Sequence, residues 1–147
     1  MNGQDYSASI AVTASAHEVF KSINNVSKWW TEDLKGSSAR LHDEFTVRFG
    51  DVHVSTQKIV ELVPDKKVVW LVTDSRLNFI KDRQEWNNTS ISFEITEKGG
   101  TTQVHFRHIG LVPAVECYSS CTKGWDYYIK GSLLRLLTAG EGTPGSK

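Results

Sequence analysis

The chain has 147 residues, and its seventeen basic and seventeen acidic side chains cancel to a formal charge of zero. That length suits one domain with enough chain to bury a core, and the balance, with no run of like charge, argues against a nucleic-acid or anionic-membrane partner. No apolar stretch approaches the ~20 residues that span a bilayer, and "MNGQDYSASIAV" has neither the basic nor the apolar region of a signal peptide. A cytoplasmic location is therefore expected. Cys117 and Cys121 should be reduced thiols, because one helical turn is a poor spacing for a disulfide.

In chain order, Tyr6 to Val12 alternates with Ile10 and Val12 on one face and predicts a first strand. Ser15 and Glu18 form a capping box. Behind it Ala16, Val19, Phe20 and Ile23 recur at helical spacing, an amphipathic helix of about three turns. "VSKWW" predicts a second short helix, with Ser27 as its cap. Trp29 and Trp30 cannot both face one direction on a helix, so one of them is expected at a pocket edge or the surface.

The period then changes to two. Phe45, Val47 and Phe49 alternate, Gly50-Asp51 turns the chain, and a strand runs from Val52 to about Val63, with alternation that falters after Gln57 as at a bulge. Pro64-Asp65-Lys66 is a turn and "KVVWLVT" a strand. Ser75 to Asn88 reads as a long connection. Ile91, Phe93 and Ile95 alternate, Gly99-Gly100 is a hairpin turn, and its partner strand carries Val104, Phe106 and His108 inward. Pro113 suits the first turn of a long final helix, which Gly140, Gly142 and Pro144 stop. Short turns make the strands antiparallel neighbours, and only the terminal helix is long enough to cover their sheet. The class is α+β. One domain, 1–147, is expected, with a core of about 6–139 and a frayed tail over 140–147.

Gly124 and Gly131 lie inside that final helix, where each lowers helix stability by ~1 kcal/mol relative to alanine. On an α-helical wheel they fall within about 20° of each other, in a small-residue stripe with Cys117, Ser120 and Thr138. Tyr118, Trp125, Ile129 and Leu136 form an adjacent apolar stripe. Such a stripe permits either close packing of the helix on the sheet or a cavity left where side chains are missing.

"HIGLVPAVECYSSCTKGWDYYIKGSLLRLLTAGEGTP", with "SKWW" and the "GGTTQVHFRHIG" hairpin, resembles the helix-grip superfamily of START-like (SRPBCC), birch-pollen-allergen-like domains. Within it the chain is most similar to bacterial proteins named after the heat-shock protein 90 ATPase activator. The resemblance runs from about Tyr6 to Pro144. It implies a curved antiparallel sheet of about six to seven strands around the C-terminal helix, two short helices after the first strand, and a largely apolar pocket. Such domains bind lipid-like, polyketide-like or aromatic molecules. The alternatives it carries are a co-chaperone or interaction module with a chaperone partner, and a START-like cyclase or hydrolase.

The residues are weighed against that expectation. His108, inward-facing near the strand end, is placed to orient a ligand or act as a base, against the plainer reading of a structural histidine satisfied by backbone. Tyr118 and Trp86 are expected to add polar or aromatic recognition, and Trp30, Phe106, Cys121 and Trp125 to form apolar walls. A C-x3-C spacing does not suit zinc. A nucleophilic cysteine needs a lowered pKa, for which the nearby helix N-terminus is the source in view. G-x-S-x-G, a P-loop and a carboxylate pair are all missing, so binding ranks above catalysis, with no catalytic residue, metal or cofactor expected.

Overall fold

The computed structural model of the protein describes residues 5–50, 52–78 and 85–145. Seven strands, β1 (Tyr6–Val12), β2 (Leu34–Gly36), β3 (Glu44–Phe49), β4 (His53–Val63), β5 (Lys67–Leu77), β6 (Ser90–Lys98) and β7 (Thr101–Ile109), form one antiparallel sheet. Its order is β1-β7-β6-β5-β4-β3-β2. Consecutive strands from β2 to β7 are joined as neighbours, and β1 closes against β7 from Tyr6 opposite His108 to Val12 opposite Thr102. The expected hairpin at Gly99-Gly100 has φ of 59° and 81°. Two consecutive positive values are what a tight turn matched to strand twist requires.

One face of the curved sheet is buried. Ala8, Ile10, Ile59, Val68, Trp70, Val72, Ile91, Phe93, Val104 and Phe106 all project into a single core. α1 (Ala16–Asn24) packs beside β6, with Ala16, Val19 and Ile23 buried and Ser15 Oγ accepting from the Glu18 amide. The C-terminal helix has three consecutive pieces: α2 (Tyr118–Trp125), a π-helical stretch Asp126–Leu133, and α3 (Leu134–Ala139). Gly140 ends it at φ 82°, as the stop signal predicts.

Several local expectations change. The second helix is only a 3-10 turn, Val26–Lys28, and the chain leaves helical geometry at Trp29, whose φ is −134°. Both tryptophans therefore turn inward, 0% and 2% exposed, with rings stacked at 6.1 Å, and Trp30 is the one of the pair that stands at a pocket, as expected of one of them. β5 continues through Ser75 and Arg76 to Leu77, shortening the predicted connection; its residues 79–84 lie outside the described residues. Pro113 sits in turns that precede the helix, which begins at Tyr118. β2 carries no apolar alternation and was not legible as a strand. The bulge is present, with register shifts at Thr56/Gln57 and Ile59/Glu61.

Residues 140–145 run back over the fold and hydrogen-bond to it. The Glu32 amide donates to the Gly145 carbonyl at 2.7 Å and the Gly145 amide to the Trp30 carbonyl at 3.0 Å. A Cβ on Gly142 would meet the Lys28 carbonyl oxygen at 2.5 Å, so backbone packs on backbone there. Ser132, fully buried on the helix, donates to the Trp29 carbonyl (2.6 Å) and accepts from the Thr143 amide (2.8 Å). One hydroxyl thus joins helix, tryptophan turn and tail.

Candidate functional site

All five tryptophans of the chain join one cluster. Trp70 on β5 and Trp29 lie 6.4 Å apart, Trp29 stacks on Trp30, Trp30 on Trp125 (5.0 Å) and Trp125 on Trp86 (5.8 Å, planes 11° apart). Indoles bury large area and keep one polar N–H that must find a partner. Trp29 Nε1 donates to the Ile23 carbonyl, Trp125 Nε1 to His108 Nδ1 (3.0 Å) and Trp86 Nε1 to Cys121 Sγ (3.3 Å), whereas Trp70 Nε1 is buried without one.

Between the β3–β4 end of the sheet and the C-terminal helix this cluster leaves a cavity of about 150 Å³. Trp30, Phe49, His53 and Trp86 line the sheet side, and Ser120, Cys121, Gly124, Trp125 and Tyr128 the helix side. The solvent-exposed Ser120 and half-buried Gly124 and Tyr128 stand at its mouth. No atom beyond the adjacent helix backbone lies within 4 Å of a Cβ built on Gly124. That glycine opens space instead of seating the helix on the sheet. Gly131 also has open space around its Cβ but is not among the lining residues. In the intervening π-helical turns, i→i+5 bonding puts more residues in each turn. Seven residues therefore no longer return to the same face, and the α-helical wheel fails beyond Trp125.

The structure brings Trp30, Trp86, Cys121 and Trp125 to the cavity wall. Phe106 lies one layer deeper, against Trp125 at 4.7 Å. Tyr118 is half-buried and is not among the lining residues; its influence reaches Tyr6 on β1. His108 is buried behind Trp86 and Trp125. Its Nδ1 accepts from Trp125, which leaves the proton on Nε2 to be donated to Thr89 Oγ1 at 2.8 Å, and Thr89 donates onward to the Trp86 carbonyl. Both ring nitrogens are engaged with side chains, so the histidine is satisfied, though not by backbone. Burial, and secondarily His53, depress its pKa to about 3, so it is neutral.

Sequence reasoning did not single out Phe49, His53 and Tyr128 as lining residues, and it left Ser120 and Gly124, on the small-residue stripe, open between close packing and a cavity. Phe49 shares the inward parity of Phe45 and Val47. His53, Ser55, Gln57 and Ile59 share one side of β4, and extending that parity back from Ile59 finds the histidine. His53 is held by Nε2 to Ser55 Oγ (2.8 Å), which also accepts from the buried Gln57 amide (2.6 Å). Its ring meets Phe49 and Trp86 edge-on at 5.1 and 4.7 Å. Burial lowers its pKa to about 3.

On the helix side, the Glu85 carboxylate accepts from the Glu116 and Cys117 amides (2.6 and 2.9 Å), occupying donors at the helix start. The adjacent Trp86 reaches Cys121, so this short segment fixes both cavity wall and helix. On the far side of the helix Tyr6 donates to Asp126, which also pairs with Lys130 at 3.6 Å.

A curved sheet closed on a long helix, with an aromatic cavity between them, defines a helix-grip domain of the START-like class. The profile described as "Activator of Hsp90 ATPase homolog 1-like protein" matches residues 13–138, and the chain belongs to that family. It is similar to the Aha1 dimer from Colwellia psychrerythraea, with TM-score 0.76 and 23% identity over 95% of this chain and 99% of that one. It is also similar to protein SSP2350 from Staphylococcus saprophyticus (TM-score 0.70, 14% identity, 95% and 96% covered). A third similar structure is CalU16 from Micromonospora echinospora (TM-score 0.63, 13% identity, 89% and 73% covered). At these identities the likeness is one of fold. No curated protein matches the sequence. Among the described residues no helix is long and apolar enough to cross a membrane.

Proposed function

We propose that the protein binds a small, planar, mostly apolar molecule in the cavity between the sheet and the C-terminal helix. The observation that carries this reading is the cavity itself, about 150 Å³ and walled by Trp30, Phe49, Trp86, Trp125 and Tyr128. An apolar cavity of about 150 Å³ admits a benzene-sized guest, whereas drug-sized ligands occupy about 300–1,000 Å³. Size therefore favours a single aromatic ring over the lipid-like and polyketide-like members of the expected ligand set. Polar recognition passes from His108, whose nitrogens are spent, to His53, whose Nδ1 is the ring nitrogen not engaged with Ser55. Trp30, Trp86, Cys121 and Trp125 form the wall, with Phe106 packed behind Trp125 and Tyr118 outside the cavity.

Intrinsic fluorescence reports on this site because every tryptophan belongs to the cluster. Toluene is expected to bind saturably, a long-chain fatty acid not to bind, and Gly124→Leu to abolish toluene binding by filling the cavity. Fatty-acid binding that Gly124→Leu leaves untouched would refute the reading. A second reading, a co-chaperone-like interaction module, is favoured by the family match over residues 13–138. It predicts faster ATP turnover when the protein is mixed with heat-shock protein 90 from the same cell, and an unchanged rate dismisses it.

A further inference from the structure

Cys121 is more than a small packing residue. Its Sγ lies on the cavity wall beside Trp86 and accepts the Trp86 Nε1 hydrogen at 3.3 Å, whereas Cys117, one turn before it, is not among the lining residues. A sulfur that receives an N–H donor is better prepared to carry negative charge than one that receives none. Of the two thiols Cys121 is therefore the one that ionises first: the neighbouring Cys117 thiol, and less strongly the Trp86 bond, pull its pKa below the ordinary thiol range, against burial and the Glu85 carboxylate. Cys117 shifts the opposite way, through Cys121 and its own burial. The helix N-terminus is not the source, since Glu85 already occupies its amides.

The walls select what can approach that sulfur. Trp30, Trp86 and Trp125 offer electron-rich faces, which pair best with a planar, electron-poor ring. From this geometry we infer that Cys121 is a covalent capture site for small electron-poor electrophiles of the quinone class, held in the aromatic cavity; the inference rests on the cavity reading above. The Cys121 sulfur adds to a ring carbon conjugated with a carbonyl. The S–C bond forms as the ring C=C π bond breaks, and the displaced pair moves onto the carbonyl oxygen, which takes up the proton the thiol has lost. Transfer of the ring proton at the attacked carbon to the second carbonyl oxygen then leaves a hydroquinone thioether. Thiol and quinone account for every atom. The sulfur pair that makes the new bond supplies the two electrons that reduce the ring, so no further oxidant or reductant enters.

The test uses the full chain and 1,4-benzoquinone, followed by intact mass and peptide mapping. One added quinone is expected on Cys121, formed roughly tenfold or more faster than glutathione reacts at the same pH. Saturating benzene should slow the labelling, and Cys117→Ala should slow it several-fold while leaving Cys121 as the site. Labelling first at Cys117, or labelling of Cys121 at the glutathione rate and indifferent to benzene, overturns the inference. Benzene binding to the unmodified protein is followed separately by tryptophan fluorescence. Benzene bound with Cys121 left unlabelled defeats only the capture site, whereas absence of benzene binding defeats the cavity reading itself.

Discussion

Lowering the pH should destabilise this protein through His108 as well as His53, and the size of the His108 effect follows from its surroundings. The imidazole is fully buried, its Nδ1 lone pair is used by Trp125, and its Nε2 hydrogen by Thr89. Protonating Nδ1 would set two N–H groups against each other. Burial, with a smaller contribution from His53, lowers the folded pKa from 6.5 to about 3. The unfolded chain therefore binds a proton that the folded one refuses. The stabilisation is complete above the unfolded pKa and is lost progressively as the pH falls from 6.5 towards 3. At about pH 4.5 the loss from this residue is about 1.4 kcal/mol per unit over two units, or about 2.7 kcal/mol.

Urea unfolding followed by tryptophan fluorescence across pH measures it, with His108→Gln as the comparison. The variant is less stable at neutral pH, having lost the fitted ring. Between about pH 7.5 and pH 4.5 it should nevertheless lose about 2.7 kcal/mol less than the parent, because it has no proton to take up at that position. Equal losses in the two proteins, or His108 ring resonances that titrate near 6.5, would refute the reasoning.

Three further outcomes are expected. Gly124→Ala should raise stability by about 1 kcal/mol, since its Cβ meets nothing beyond the adjacent helix backbone within 4 Å, while weakening binding of an aromatic guest; thermal melts and fluorescence titration separate the two effects. Ser132→Ala leaves the Trp29 carbonyl and the Thr143 amide without their shared partner and should cost about 1–3 kcal/mol, with faster amide exchange at Thr143. Gln57→Met should change stability by about 1 kcal/mol or less, because the lost hydrogen bond to Ser55 Oγ is offset by removing the buried Oε1, which has no partner; a drop of several kcal/mol in urea unfolding argues against that account.

The sequence by itself determined the class of fold and the inward faces. Alternation at Phe45, Val47, Ile91, Phe93, Val104 and Phe106, the cap at Ser15 and the stop at Gly140 are local signals, because strand parity and helix ends are decided within a few residues. The resemblance, carried by the C-terminal helix and the last hairpin, extended those signals to a helix-grip architecture. Tertiary structure alone decided which inward side chains reach the cavity. His108 and His53 both face the core, yet Trp125 and Thr89 occupy the first, while the second is left at the cavity wall. Trp29 and Trp30 both turned inward because the chain left helical geometry between them and the preceding turn. Gly124 and Gly131 parted because the helix widened to π geometry between them. Parity tells which way a side chain points from its own backbone. What it meets there depends on elements far apart in the chain, and on backbone departures that no periodic pattern contains.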